Sequence, residues 1–527
     1  MKKIFQKSFR FWQEKKFFII SFLLFFLLFV SLYQNSLNGP WERDEGEYAY
    51  SAWLMEEGEL PYRDSFLQKP PGIVLVYWLA LKINPESLWP PRVLAFISIA
   101  LTILLAGYIA KKEFDWRSGY FTLGILIPMF ALPHFTPFSA NVERFMLLPL
   151  LLVLVLYLNR QKSLATVFGA GFFGAMSFLF KPVILLVWAA IMLFWLWEDY
   201  LKPKRFGKIF PALGLFLWGV LVAAILVLGP FLWRGAGKFI WEEVFLFNKY
   251  YAAQMGQYIP SAFLKYGAIM LKNWWVVFVF SVGAIWMRFP KVWFYLLLII
   301  LGWFSIFSSP IGHYYFLLVP FLALLASAAF SKLCQSFSLN SQNGARPIVA
   351  ILTFLSVFLL SGNLLPAFSL EAKENAMWIY GPGNPFLEST EVAEKIEKNS
   401  QADDKIFVAG SEPQIYFYAK RKSVSRFDIT YPLIIDTPVR EKYQKEAAQE
   451  IENNLPRLIA YSNRPESGLT NDESPKIFIN YLDNLIQEKY ILLGGYFRHS
   501  DLKGEWKDFS ADFPEKKEAT LLLYQKK

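Results

Sequence analysis

Between Trp41 and Gly72 the chain reads WERDEGEYAYSAWLMEEGELPYRDSFLQKPPG, a stretch with residue types that can move a proton and hold an anion. From Trp41 through Glu86 there are nine acidic and four basic residues, too polar a composition to lie in lipid. Asp44 and Glu45 stand side by side shortly after an apolar segment. One of them is placed to act as a general base beside a membrane surface. The same pair also suits the first turn of a short helix running to Met55, with Asp as a good N-cap. Lys69 precedes Pro70 and Pro71, which fix the backbone and end any preceding helix. A lysine held there can meet a lipid phosphate as a point charge, or it can anchor among headgroups. Together these are parts for acting on an anionic, lipid-borne substrate.

Further candidates lie at the ends of apolar segments. Asn141, Glu143 and Arg144 fall where one predicted span returns as the next, at a depth where polar groups are paired or functional. An ion pair between Glu143 and Arg144, or one between loops, is the structural alternative. Lys181 follows GAMSFLF and precedes Pro182, so it is a cation at a helix break, suited to an anion or to a carboxylate partner. His313, Tyr314 and Tyr315 open a predicted span, and Tyr314 and Tyr315 fit an interfacial aromatic belt. His134 and His313 lie on the same side as Glu143 and could together bind a divalent metal, but no HxxxH or HExxH spacing supports one, and no cofactor is firmly implied. Trp241–Tyr251 (WEEVFLFNKYY) suits an interfacial helix or an aromatic wall for sugar and lipid.

The elements that must position these groups are mostly apolar. In 527 residues, 55% are hydrophobic and 18% charged, with 52 Phe, 26 Tyr and 19 Trp, in the long runs of a polytopic membrane protein. Residues 370–527 carry 22 Lys/Arg and 26 Asp/Glu, a net of −4, so residues 1–369 carry +14 of the total +10. Such an excess in a membrane region reflects cytoplasmic loops, and no nucleic-acid partner is implied. The single cysteine, Cys334, excludes an intrachain disulfide. Basic residues 1–16 followed by apolar 17–32 predict a retained first helix with a cytoplasmic N-terminus. Spans are then expected at 91–111, 118–135, 142–158, 163–180, 182–197, 208–231, 263–287, 291–308, 313–331 and 347–366, about eleven in all. Gly72–Ile83 is too short to cross and is expected along the interface, with Tyr77 and Trp78 at that depth. Lys111, Lys112, Arg117, Arg160, Lys162, Lys202, Lys204, Arg205, Lys208, Arg288, Lys291, Lys332 and Arg346 fall in alternate connections. This places the first loop (about 35–90) and the C-terminus outside the cytoplasmic membrane.

From about Leu370 the pattern changes. Strands are expected at 406–410, 457–462, 490–497 and 519–525, and helices at 388–398, 439–453 and 475–488. The alternation predicts an extracytoplasmic α/β domain over 370–527 behind a membrane domain over 1–369. No GxxxxGK[ST] loop is present, which argues against an ATP-driven pump. A flippase or transporter of a lipid-linked amphipathic substrate is the alternative from another class, but no duplicated half supports it.

Three segments carry a resemblance: DEGEYAYSAWLMEEGELPYRDSFLQKPPG, SANVERFMLLPLLLVLVLY and GHYYFLLVPFLALLA. In this order they resemble the bacterial branch of the GT-C glycosyltransferases, the family of protein O-mannosyltransferases and lipid A aminoarabinose transferases. The resemblance implies a GT-C-like membrane fold and an inverting transfer of a monosaccharide. The donor would be a polyprenyl-phosphate sugar and the acceptor a lipid, glycan or protein, on the outer side of the lipid bilayer. It implies that Asp44 is the catalytic carboxylate, that Lys69 contacts the donor phosphate and that Glu143 is the second acidic position. Some relatives carry Asp in the second loop where this chain has Asn141-x-Glu143. Within that expectation Asp44 is the base, Glu45 and Glu143 position the acceptor, and Lys181 joins Lys69 in balancing phosphate charge. Asn141, Arg144, His313 and Tyr314 complete the expected site.

Overall fold

A computed structural model describes residues 23, 25–135, 138–159, 163–255, 259–287, 291–307, 309, 311–337, 342–499 and 503–527. Residues 1–16, most of the expected first span, and Arg160, Lys162 and Arg288 lie outside the described residues. The structure is mostly helical, with one small sheet near the C-terminus.

A helix occupies each of the ten intervals expected between 91 and 366. Among the described residues, five are long and apolar enough to cross a membrane by themselves. These are Trp89–Glu113, Pro182–Leu201, Phe206–Trp233, Phe263–Trp286 and Gly312–Ser336. Shorter apolar helices include Phe25–Gln34, Leu164–Phe178, Val292–Ile306 and Ile348–Ser361. Large apolar side chains on several of these face outward, among them Trp218, Ile225, Leu226, Phe354 and Phe358. Side chains of that kind have their natural solvent in lipid. Where helices touch, small residues allow close approach: a Cβ on Gly171 would stand 2.0 Å from the Phe216 carbonyl oxygen, so Leu164–Phe178 lies directly on Ile209–Trp233.

The connection between the spans expected at 208–231 and 263–287 is largely helical, including the Trp241–Tyr251 stretch. Gly237–Ile240, Trp241–Phe247 and Asn248–Met255 follow one another, and Ile259–Trp286 comes next. Gly72–Ile83, expected along the interface, forms a short helix, and its Tyr77 is buried, packed edge-on against Trp41 and Tyr48. Only that side is covered by protein: Leu79 and Ile83 of the same helix stay exposed.

The C-terminal sheet has the order β1-β2-β5-β3-β4, with β1 (Ile406–Ala409), β2 (Leu458–Ser462), β3 (Tyr490–Arg498), β4 (Gly504–Asp508) and β5 (Leu521–Lys526). β1 and β2 are parallel and the other pairs antiparallel. β4, with the sequence GEWKD, was not expected; it is a short polar edge strand with no hydrophobic alternation to reveal it. Helices Phe386–Lys398, Arg440–Asn453 and Ile477–Lys489 pack around the sheet. The two parts of the chain interlock. Phe66 and Phe247 lie within the core beside the sheet, and Trp41 stacks near Phe417 and donates its backbone N–H to the Tyr418 hydroxyl.

The acidic stretch folds as the helix Arg43–Glu56, capped by Glu42 and Glu45 in a reciprocal capping box. Asp44 is therefore in the first turn and is not the N-cap. Glu45 is fully buried and accepts from Arg92 at 2.9 and 2.6 Å, a bidentate pair. It also accepts from the Ala140 amide at 2.9 Å. Arg92 donates in addition to the carbonyls of Ser36, Gly39 and Pro40, which tie the end of the first helix to the acidic helix. Removing one member of a buried pair costs about 3–5 kcal/mol. Arg92→Ala should therefore lower the thermal midpoint in detergent sharply, and Glu45→Gln on that background should recover part of the loss.

Candidate functional site

Asp44 and Glu47 are three residues apart, so they share one face of the helix Arg43–Glu56. Both carboxylates face the Lys69 ammonium, at 3.6 Å from Asp44 and 3.7 Å from Glu47. Charge-assisted hydrogen bonds are about 2.7–2.9 Å long, so these contacts are loose. The Arg92–Glu45 pair at 2.6 Å is by contrast tight. Lys69 is 9% exposed and Asp44 23%, whereas Glu45 has no exposure at all. The loose, partly open pair can exchange partners, and the closed pair is a strut.

The second half of the cluster comes from the membrane helices. Glu143 lies in the first turn of the helix Val142–Leu158 and pairs with Lys181, the inter-loop form of the expected ion pair and not the one with its sequence neighbour Arg144. Lys181 lies 3.1 Å above the centre of the Tyr314 ring. His313 Nε2 bridges the halves, 4.0 Å from Asp44 and 3.8 Å from Glu143. The two lysine-bearing breaks are joined by backbone: the Gly72 amide donates to the Leu179 carbonyl, and a Cβ on Gly72 would stand 2.7 Å from that oxygen. Glycine at that position brings the KPPG turn against the segment before Lys181.

Thus Asp44, Lys69, Glu143, Lys181, His313 and Tyr314 meet. Glu45, Asn141 and Arg144 do not join them in the same way. Glu45 is committed to Arg92, which corrects its expected part in the chemistry. Asn141 is buried beside Glu42. Arg144 stacks 3.8 Å over Phe316 and donates toward the Phe130 carbonyl within the core. Tyr315, expected in an interfacial belt, is buried and stacked with Phe135, while Tyr314 faces the site. His134 is exposed, and among the described residues no group of three or more His, Cys, Asp or Glu stands together as a metal site.

Glu47 was overlooked in the sequence, although its spacing from Asp44 marks the same helical face. Burial drives its carboxyl up, and the neighbouring Lys69 only partly reverses this, leaving its pKa at about 7. For Lys69, burial alone would lower the pKa, but the charges of Asp44 and Glu47 outweigh it and hold the ammonium above its ordinary range. Tyr251 and Asn248, from the segment Asn248–Met255, complete the wall.

These groups open on a cavity of about 320 Å³ lined by Lys69, Lys181, Tyr251, Tyr314, Asn248 and Val244, among others. Through Pro70, Val244 and Phe245 it adjoins a second cavity of about 480 Å³, walled by Trp188, Val220, Leu228 and Leu232. The first has cations and phenols; the second is almost wholly apolar. Side by side they fit an amphiphile with an anionic head.

Residues 68–233 match the family model of dolichyl-phosphate-mannose-protein mannosyltransferases. The fold is similar to that of ArnT from Cupriavidus metallidurans bound to undecaprenyl phosphate. There the identity is 14% and the TM-score 0.58, covering 97% of this chain and 98% of that one. The apo state of the same protein gives 15%, 0.56, 97% and 98%. The Archaeoglobus fulgidus oligosaccharyltransferase AglB, solved with an inhibitory peptide and a dolichol-phosphate, gives 14% and 0.49, covering 96% of this chain and 76% of that one. No curated protein sequence matches the chain.

The raised carboxyl of Glu47 has a consequence for stability. Between its ordinary value of 4.5 and about 7 the folded protein binds a proton that the unfolded chain releases. The contribution is therefore complete below pH 4.5 and lost as pH rises through 7, with a size on the order of 3 kcal/mol. Glu47→Gln should remove this slope. Thermal midpoints in detergent should converge at low pH and diverge by pH 8, with the parent the less stable there.

Proposed function

We propose that the chain is a membrane glycosyltransferase of the GT-C superfamily that transfers a monosaccharide from a polyprenyl-phosphate donor to an acceptor hydroxyl outside the cytoplasmic membrane. The acceptor is a lipid, glycan or protein. In this reading the membrane part spans residues 1–369 with about eleven crossings and a cytoplasmic N-terminus. Residues 370–527 lie on the outer side. The observation that carries the proposal is Lys69, loosely held by Asp44 and Glu47 and lining a cationic cavity that adjoins an apolar one.

The donor's phosphate enters beside Lys69 and competes for it with the two carboxylates. Its isoprenoid chain follows the apolar cavity under Pro70 and Pro71. Once Lys69 turns to phosphate, Asp44 is free to take the acceptor's proton. The acceptor oxygen then forms its bond to the anomeric carbon as the bond from that carbon to the phosphate oxygen breaks. The electron pair leaves on the phosphate, whose growing charge is balanced by Lys69. A single direct displacement inverts the anomeric centre. His313 stands between Asp44 and Glu143, 4.0 and 3.8 Å from the two carboxylates. Lys181, neutralised by Glu143, lines the cavity as the second cation. Glu45 has no chemical step here; it holds the helix that presents Asp44.

The test is donor affinity. Lys69→Ala should weaken binding of a polyprenyl phosphate by about tenfold or more while leaving the protein folded. Lys69→Arg should do less harm, since the charge remains. Unchanged affinity in the Ala variant would return Lys69 to headgroup anchoring.

A further inference from the structure

The four residues that end in Lys69 are gripped one by one. The Phe66 amide donates to Asp428 at 2.8 Å, and the Leu67 amide donates to Glu243 at 2.8 Å. The Gln68 carbonyl accepts from Asn248 Nδ2 at 2.7 Å, and the Lys69 carbonyl accepts from the Tyr62 hydroxyl at 2.9 Å. Pro70 and Pro71 stiffen the next two positions. The grip is anchored beyond the membrane helices. Asp428 lies in the C-terminal region, 362 residues from Phe66, and Arg426 beside it pairs with Glu243 and Glu446, each at 2.7 Å. Phe66 itself is buried among Phe427, Tyr443 and Phe247, at ring distances of 5.9, 5.9 and 5.2 Å. Asp428 is completely buried.

We infer that Asp428 is a positioning residue for Lys69, so that the C-terminal region is a working part of the donor site. It holds the Phe66 end of a four-residue segment whose other end carries the phosphate-binding ammonium. A segment tethered at every residue has little freedom to lose when the donor arrives, and such pre-organisation appears as affinity. Each tether binds the backbone, so it constrains where Lys69 sits without touching the substrate. The inference rests on the reading of Lys69 as the phosphate ligand. Burial holds the Asp428 carboxyl well above the ordinary carboxylate range. An amide in its place therefore copies its shape and its accepting oxygen.

The experiment is a double-mutant cycle on the full-length protein in nanodiscs, with a polyprenyl phosphate as the probe. Asp428→Ala should weaken binding by about tenfold. Asp428→Asn should stay close to the parent. In the Lys69→Ala background, Asp428→Ala should cost nothing more, because the group it positions is gone. If Asp428→Ala fails to accumulate, Asp428→Ser takes its place, being polar but too short to reach the Phe66 amide. Losses at Asp428 and Lys69 that simply add would overturn the inference, since they would show a general effect on the fold. Parental binding by Asp428→Ala, with Lys69→Ala weakened, would overturn it while leaving the functional reading intact. Parental binding by Lys69→Ala would overturn both.

Discussion

The bidentate pair between Arg92 and Glu45 is the constraint on which the site depends. Two charges withdrawn from water at a membrane boundary are costly unless each finds its counter-charge and further hydrogen bonds. Arg92 spends its other donors on the carbonyls of Ser36, Gly39 and Pro40, and Glu45 also receives the Ala140 amide. The chain leaving the first helix, the acidic helix and the turn before Val142 are thereby fixed to one point. Asp44 is the neighbour of Glu45, and Glu143 begins the helix just beyond Ala140. Locking Glu45 therefore helps to set the distance between Asp44 and Glu143.

Around that fixed point the structure separates tight contacts from loose ones. Arg43 donates to Glu412 at 2.7 Å and also to the Ser411 carbonyl, and Gly46 lies so close to Gln414 that a Cβ would stand 2.5 Å from its amide nitrogen. These contacts fasten the acidic helix to the C-terminal region. Lys69 with its carboxylates, and His313 with Asp44 and Glu143, stand at 3.6–4.0 Å. On the proposed reading the site admits a phosphate and so leaves its cation unsaturated, which these spacings allow. The same economy explains Glu47. Its pairing with Lys69 is too weak to offset burial, so it keeps a carboxyl near neutrality beside the incoming charge.

Much of this was legible in the sequence where the signal is local. Asp44, Lys69 before two prolines, and Glu143 stand out because charge next to long apolar runs is costly. The helix Gly72–Ile83 and the strands β1, β2, β3 and β5 follow from apolar periodicity. Glu47 was equally readable from its three-residue spacing. What stayed hidden was pairing across the chain. Nothing near Glu45 announces Arg92, nothing near Glu143 announces Lys181, and Asp428 reaches Phe66 across 362 residues. Adjacent residues with the same apparent chemistry also part company on a helix. Glu45 turns inward to Arg92 while Asp44 meets Lys69, and Tyr315 enters the core while Tyr314 meets Lys181.

The central claim is that Asp44 takes the acceptor's proton while Lys69 holds the phosphate, and replacing Asp44 by Asn tests it most directly. Asparagine keeps the size of the side chain and suits the helix start, but it cannot accept a proton as a carboxylate does. Transfer from a polyprenyl-phosphate sugar and binding of that donor should be measured on the same purified protein. The account predicts donor binding close to the parent's and transfer lower by about two to four orders of magnitude. Transfer by Asp44→Asn at near the parental rate would contradict it.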